Sequence, residues 1–469
     1  MKKGNDIALV QAPPWGLFSP PLGIAYLASY LEKKNISVKV FDVNVALFNA
    51  AQDKTLWNFE RKDEWNKAET FDIIRDVFDR EISSCVDRVI AAGPAIVGIS
   101  TNQNSLLFSL EFARRLKQAG DVFVIAGGGG CLNAHERDIL RRDGVIDALV
   151  VGEGEEVLYE FIEKFKNGVI ASPMEGVLLK GQRDTELVLR SAPPNLDKLF
   201  FPTYKEFDLS QYGSPFLCLL SSRGCIGRCV FCNDRFYQGR IRLRSPEKIV
   251  EEIEYHLINN KISNFSFNDL LVNADLKHLD AWCGMIIKKK LKVKWNAQAL
   301  ARADMSAELL DRIKEAGCEV LQYGIESGSD SVLEGMGKLF KAADAEKVLR
   351  LTHDAGIQAW VNIIVGFPWE MERDFQETAS FIERNRGNID RVGSLNTCNV
   401  VFNSYMMNNK EEFGIVLSEK PELVEISWHK GDNCDTLRKE RALRLKSVLA
   451  RLNLPLGQDN LFVVPGRTQ

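Results

Sequence analysis

The sequence predicts an α/β protein with a doubly wound, Rossmann-like domain over residues 1–165, a partial (β/α)6 barrel over 213–404 and a small helical region over 405–469. Three observations lead there. Short β-branched runs alternate with amphipathic stretches through the first third of the chain, the pattern of a parallel sheet covered on both faces. The rhythm breaks over 166–212, where Gly176–Leu189 reads as a hairpin and Ser191-Ala192-Pro193-Pro194 as a linker. It then returns for six further βα units, whose functional loops belong at the carboxyl ends of the strands.

Taken in order, Asp6–Ala12 is strand-like, and Pro21 opens a helix carrying Leu22, Ala25, Tyr26, Leu27, Tyr30 and Leu31. Val38–Asp42, Ala95–Thr101, Val122–Gly128 and Ala148–Gly152 complete a five-stranded sheet, with helices such as Leu106–Ala119 and Glu156–Phe165 between strands. The second series runs Phe216–Ser222, Asn264–Asp269, Val293–Ala299, Glu319–Glu326, Gln358–Phe367 and Val392–Val401. Ser245-Pro246-Glu247 starts a helix with a serine cap and proline at its first position. Ser306 and Gly317 bracket another. Thr436–Leu452 is a strong helix whose Leu437, Leu445, Val448, Leu449 and Leu452 share a face.

The 469 residues carry a formal net charge of −4. That balance argues against a broad nucleic-acid surface, which neutralises phosphates with clustered Lys and Arg. Apolar runs fall short of the ~20 residues that span a bilayer, and the N-terminus lacks a signal-peptide pattern. The expected compartment is a reducing cytoplasm, where ten cysteines do not form a disulfide framework.

Most of those cysteines read as core residues. Cys225, Cys229 and Cys232 do not: they lie within eight residues, just after the first barrel strand, beside Gly224 and Gly227. Thiolates are the ordinary ligands of iron–sulfur clusters, and a closed cubane takes four. Three can ligate three irons and leave the fourth open for chemistry. The competing reading is a structural zinc site with Cys218 as fourth ligand, but zinc sites favour paired knuckles and a second knuckle is missing.

The triplet, with Phe231 before its last cysteine, resembles the radical S-adenosylmethionine enzymes. The resemblance runs through residues 216–402 and takes in Phe267-Asn268-Asp269, Arg302-Ala303-Asp304, Gly324-Ile325-Glu326-Ser327-Gly328 and Gly366-Phe367-Pro368-Trp369-Glu370. It implies a [4Fe-4S] cluster on Cys225, Cys229 and Cys232, and S-adenosylmethionine bound upon it. Phe231 would contact the adenine, and Asp269 the amino group of methionine. Gln298 and Arg302 would hold the ribose or the carboxylate, Glu326 the ribose hydroxyls, and Val365 to Pro368 would flank the adenine. Asn268 and Trp369 depart from the family pattern, which often has a second acid and a glycine there. Arg235, Arg240, Arg242 and Arg244 read as a solvated face, or as a carboxylate site near the cluster.

In the first domain, ligands belong beyond the carboxyl ends of the strands. Those ends carry Trp15 and Gly16, Ser100, Thr101 and Asn102, Gly127, Gly128 and Gly129, and Gly152, Glu153 and Gly154. G-x-G-x-x-G is absent after the first strand, so a dinucleotide site is not expected. Pro13-Pro14 through Ala28 and Gly152-Glu153-Gly154-Glu155 resemble the cobalamin-binding domain often joined to such barrels, over about residues 5–165. The D-x-H-x-x-G fingerprint is missing, so the resemblance implies cobalamin held without a protein imidazole, with Trp15 or its neighbours near the lower face. The alternative is a domain that kept the fold and lost the cofactor.

Together the resemblances imply a class B radical methyltransferase that places a methyl group on an unactivated carbon through a deoxyadenosyl radical. Its partners would be a small-molecule or peptide substrate and an electron donor such as flavodoxin or ferredoxin. Two rivals stay open: a radical oxidase, cyclase or rearrangement enzyme with cobalamin absent or spectating, and a decayed ligand-binding sensor or carrier.

Overall fold

The computed structural model describes residues 5–169, 174–213, 216–418 and 426–457. The expected N-terminal start and parts of the 405–469 region therefore lie outside the described residues. The chain divides into two compact units, the first built from residues up to 193 with 198–215, the second from 194–197 with 216–461.

In the first unit the five expected strands form at Ile7–Gln11, Val38–Asp42, Ile96–Ser100, Phe123–Gly127 and Ala148–Val150. All five run parallel, in the spatial order second, first, third, fourth, fifth. Ile7–Gln11 is buried along its whole length. Such a strand needs helices on both faces, which is why it reads as an unbroken apolar run. Ile24, Ala28 and Leu31 of the helix Leu22–Lys33 pack with Ile7, Leu9 and Val157 in one apolar cluster. The strand order reverses between the first and third strands, so their loops form the topological switch point.

Two sequence expectations fail here. Val177–Leu179 adds a sixth strand, antiparallel to Ala148–Val150, in place of the Gly176–Leu189 hairpin. Gly176 N still meets Val188 O at 2.8 Å, but the returning arm forms a 3-10 turn at Asp184–Glu186. Residues 198–212, read as part of a linker, pack with this unit. The second miss is an insertion before the third strand, with helices at Val43–Ala50, Ala68–Val77 and Asp79–Ala91. It is held by ring packing, with Trp57 and Trp65 centroids 5.2 Å apart and Trp65 fully buried. Ring clusters of this kind have no sequence period.

In the second unit six parallel strands form one sheet in sequential order: Phe216–Leu219, Asn264–Phe267, Lys294–Ala299, Cys318–Glu326, Gln358–Val365 and Arg391–Thr397. Their burial alternates. Leu217, Phe265, Phe267, Trp295, Ala297, Tyr323, Val361 and Ile363 are buried, and Trp282 of the helix Leu276–Lys288 stacks on Phe267 at 5.0 Å. That apolar face is the helix side. The opposite face carries Ser266, Asn296, Gln298, Gln322 and Asn362, bonded in pairs: Ser266 Oγ to Asn296 Oδ1 at 2.8 Å and Gln322 Nε2 to Asn362 Oδ1 at 2.7 Å. Period-two patterning thus leaves a polar inner wall.

The Ser245 cap and Pro246 start are present, and Ser306 caps its helix through Leu309 N at 3.2 Å. The last region is mixed rather than helical: the strands Val416–Leu417 and Trp428–His429 pair antiparallel before the helix Asp435–Arg451. That helix buries Leu445 and Leu449 of the expected face, with Leu437, Val448 and Leu452 half-buried, and buries Arg438 and Arg441 as well. Two guanidiniums turn inward because buried acceptors await them.

Arg244 also departs from expectation. Arg235 and Arg240 are exposed, whereas Arg244 is buried and ion-paired with the fully buried Glu252. Its Nη1 donates to Leu220 O at 2.7 Å, where the first strand ends. Breaking a buried pair leaves a lone charge in low dielectric, at about 3–5 kcal/mol. Arg244→Ala is therefore expected to lower the thermal midpoint of this unit by on the order of ten degrees. Glu252→Leu with Arg244→Met should recover most of that loss; a calorimetric scan checks both.

Candidate active site

Cys225, Cys229 and Cys232 lie on the loop after Phe216–Leu219, all half-buried. Asp269 fixes the start of that loop. Its carboxylate accepts from Ser221 N at 2.9 Å, Ser221 Oγ at 2.6 Å and Ser222 Oγ. Gly227 N donates to Cys225 Sγ at 3.2 Å. A Cβ on Gly227 would stand 3.3 Å from Cys225 Sγ and 3.7 Å from Cys229 Sγ, so two sulfurs converge over a residue with no side chain. Burial pushes all three thiols up, Cys232 to about 12 with the Asp234 carboxylate adding to it. Bound iron reverses that preference, because a coordinating thiol is deprotonated outright.

Among the described residues, no three His, Cys, Asp or Glu side chains close around a single metal ion. A cubane asks something different, one thiolate for each of three irons. Cys218 stays in the strand ladder opposite Ser266. Three thiols on a glycine loop, carried at a strand's carboxyl end, suit a cluster with one iron left for substrate.

The residues expected at S-adenosylmethionine divide into two groups. In the first, Phe231 and Gln298 keep partly open side chains, while Glu326 is buried at its strand end and paired with Lys338. Phe231 is half-buried beside Val230 and Ile364, and Gln298 is exposed on the polar wall. Glu326 ends the fourth strand with φ of +70°, a conformation rare for a residue bearing a side chain and often found at functional sites.

Asp269, Arg302 and Val365 depart from expectation. Asp269 is 2% exposed and its oxygens hold Ser221 and Ser222, so it positions the cysteine loop; the exposed neighbour at that strand end is Asn268. Arg302 is committed to Asn273 O at 2.9 Å, Ala274 O at 2.8 Å and a paired contact with Asp304. Val365 points to the helix side with no exposure, and its neighbour Ile364 reaches the Phe231 cluster. Pro368 is buried in the turn after the fifth strand.

That turn is clamped by residues the sequence reading missed. Glu370 Oε1 accepts from Gly366 N at 2.9 Å and from Arg441 Nη1 at 2.8 Å. Asn433 Nδ2 donates to Gly366 O at 3.2 Å and Phe367 O at 3.0 Å. Gly366 has φ of +81°, and a Cβ there would lie 2.3 Å from Arg438 Cγ, so glycine is required. Trp428 and Arg438 are buried, with the guanidinium over the indole at 3.9 Å. The C-terminal segment thus holds the loop expected beside adenine. No local motif marks it, because its partners lie some seventy residues away.

In the first unit, Trp15 is exposed on a loop pinned from both sides. Asn44 Oδ1 accepts from Trp15 N at 2.9 Å, and Asn102 Nδ2 donates to Pro14 O at 3.0 Å. Gly128 has φ of +100°, and a Cβ there would stand 2.7 Å from Thr101 O, so the glycine run nests against the third-strand loop. Gly128, Gly129 and Gly152 are exposed, and a Cβ at Gly129 or Gly152 meets nothing within 4 Å. Gly16, Ser100, Gly127, Glu153 and Gly154 are half-exposed on the same rim. Thr101 is the exception: it is 2% exposed and bonded to Ser105 Oγ at 3.0 Å, so it braces the loop instead of lining it. The open glycine rim fits the flat face of a corrinoid.

The family model described as the Radical SAM superfamily matches residues 219–382. This range begins at the strand before the thiol loop and ends in the helix behind Gly328. The chain carries a radical SAM domain. A second family model, the B12 binding domain, matches residues 67–162 of this radical SAM protein. An uncharacterized methyltransferase of Pyrococcus horikoshii, PH0819, is 27% identical over 379 residues, covering 79% of this chain and 74% of the relative. The anaerobic magnesium-protoporphyrin IX monomethyl ester cyclase of Synechocystis is 24% identical over 306 residues, covering 62% and 60%. Among solved structures, TsrM of Kitasatospora setae, a radical S-adenosylmethionine methyltransferase with cobalamin and a [4Fe-4S] cluster bound, superposes with a TM-score of 0.65. It shares 17% identity and covers 90% of this chain and 82% of its own, a likeness of fold. The radical SAM protein is thus an enzyme whose domains call for a [4Fe-4S] cluster, S-adenosylmethionine and cobalamin. No helix among its described residues is long and apolar enough to cross a membrane.

Proposed function

We propose that this enzyme is a cobalamin-dependent methyltransferase acting on an unactivated carbon of a small-molecule or peptide substrate. The observation that carries the reading is the pairing, in one chain, of a three-thiol glycine loop with an open glycine rim at a doubly wound switch point. When bound, the reduced cluster supplies the electron that splits S-adenosylmethionine into methionine and a deoxyadenosyl radical, and methylcobalamin supplies the methyl group.

The chain's part is to bind and orient. Phe231 and Ile364 offer an apolar wall to adenine, Glu326 offers a carboxylate to the ribose, and exposed Asn268 offers its amide to the methionine moiety. The Gly366–Pro368 turn, held by Glu370 and Arg441, keeps the adenine edge in place. Gly128, Gly129 and Gly152 would let the backbone approach the corrinoid, and exposed Trp15 would offer its indole to it. A flavodoxin or ferredoxin would deliver the electron, and we place the enzyme in a reducing cytoplasm that keeps the thiols available.

The name of the PH0819 relative supports methyl transfer, and that of the Synechocystis cyclase keeps a radical cyclisation in view. Product stoichiometry separates them. A methyltransferase should form deoxyadenosine and S-adenosylhomocysteine in about equal amounts, since one S-adenosylmethionine makes the radical and another reloads cobalt. A methyl label from S-adenosylmethionine should appear on a substrate carbon. Deoxyadenosine in step with product, without S-adenosylhomocysteine or transferred label, would establish the cyclase or oxidase reading instead.

A further inference from the structure

Lys338 lies against the cysteine loop with its side chain 6% exposed. It follows the helix Asp330–Gly335 through a turn that touches the loop backbone to backbone. Val230 N donates to Met336 O at 3.0 Å, and a Cβ on Gly337 would stand 2.8 Å from Arg228 O and 3.7 Å from Cys229 Cα. From this turn Lys338 Nζ donates to Gly324 O at 2.8 Å and Glu326 Oε1 at 3.2 Å. It also sits 5.5 Å over the Phe231 ring and 5.9 Å over Phe340. One cation thus touches the expected ribose ligand and the expected adenine ring while leaning on the thiol loop.

A buried ammonium needs anions around it. Glu326 is one, and Cys229 and Cys232, as thiolates, favour its charged form against burial. Its place on a turn packed against the thiol loop, with Nζ over the Phe231 ring of that loop, has a redox consequence. A cluster that accepts one electron gains one unit of negative charge across its core and thiolates. A fixed positive charge in a low-dielectric site favours that more negative state. The hydrogen bond to Oε1 also ties down Glu326, whose positive φ persists only where its surroundings hold it.

We propose that Lys338 is a positioning residue that raises the reduction potential of the cluster and orients Glu326 toward S-adenosylmethionine. It rests on the cluster reading, and the experiment separates the two. Wild-type protein and the variants Lys338→Met, Lys338→Gln and Lys338→Arg are reconstituted anaerobically and assayed for iron. Each is then titrated with a low-potential one-electron donor while the reduced-cluster spin signal is followed, with and without S-adenosylmethionine.

The Met and Gln variants should keep wild-type iron but show a more negative midpoint. They should also need about tenfold more S-adenosylmethionine to perturb the signal, the scale of one charge-assisted hydrogen bond. Arg should restore both. Glu326→Gln should weaken S-adenosylmethionine binding while moving the midpoint the opposite way, because it removes a negative charge. Neutral variants with a wild-type midpoint overturn the proposal, as does an Arg variant that fails to restore it. Loss of iron from both neutral variants overturns it in favour of a structural role. Wild-type protein without iron overturns the cluster reading and the proposal with it, and the iron assay alone identifies that case.

Discussion

Cys229→Ala is expected to remove the iron–sulfur signal and bring deoxyadenosine formation to background, with Cys225→Ala and Cys232→Ala behaving alike. Each of the three thiols would ligate its own iron, and the loop places two of them over Gly227. Losing one leaves a second iron open, and the cluster then lacks the anchoring that keeps it in the protein. Cys218→Ala should leave both signals intact, since Cys218 remains in the strand ladder opposite Ser266. The fold should survive every substitution, because these thiols are half-buried and lie outside the apolar core. Iron content, the reduced-state spin signal and chromatographic deoxyadenosine are the measurements. Stoichiometric zinc without iron, lost on Cys218→Ala, would reverse the assignment.

Gly129→Trp is expected to abolish cobalamin retention through gel filtration while leaving iron content unchanged. The choice of glycine matters. Gly128 stands at φ of +100° with a Cβ that would meet Thr101 O at 2.7 Å, so its substitution disturbs the backbone before it reaches a cofactor. Gly154 would press on Leu27 Cδ2 at 3.3 Å. Gly129 has neither problem: a Cβ there meets nothing within 4 Å. A large side chain at Gly129 should therefore compete with the corrinoid alone. The thiol loop lies in the other unit, so iron content is not expected to follow the change at Gly129. Slow reductive cleavage of S-adenosylmethionine should continue in this variant, with methyl transfer to substrate lost. Full corrinoid retention by Gly129→Trp would remove the glycine rim as the cobalamin site.

The strands and cysteines were legible because their signals are local. A β-branched run such as Ile7–Gln11 declares a strand buried on both faces, and three cysteines within eight residues declare a cluster loop. The serine caps at Ser245 and Ser306 were read from a few neighbouring residues, and both form. Asp269, Arg302 and Val365 were assigned from their places at strand ends, yet their side chains serve the scaffold. Position along a strand says which end a residue occupies. It does not say which neighbours have already claimed its hydrogen bonds. Val365 follows the alternation of Val361 and Ile363 onto the buried face, so its strand-end position alone misassigned it.

The sequence by itself determined the two series of βα units, the thiol triplet and the glycine-rich strand ends. Each follows from a period, a spacing or a residue type that chain neighbours express together. Only the tertiary structure decided that Lys338 lies between the cysteine loop and Glu326, that Arg244 is buried on Glu252, and that Arg441 and Asn433 hold the Gly366 turn. The physical reason is common to all three. A long cationic side chain reads as surface until the fold supplies enough buried oxygens to replace its water, and those oxygens come from elements distant in the chain or from backbone carbonyls that no motif records.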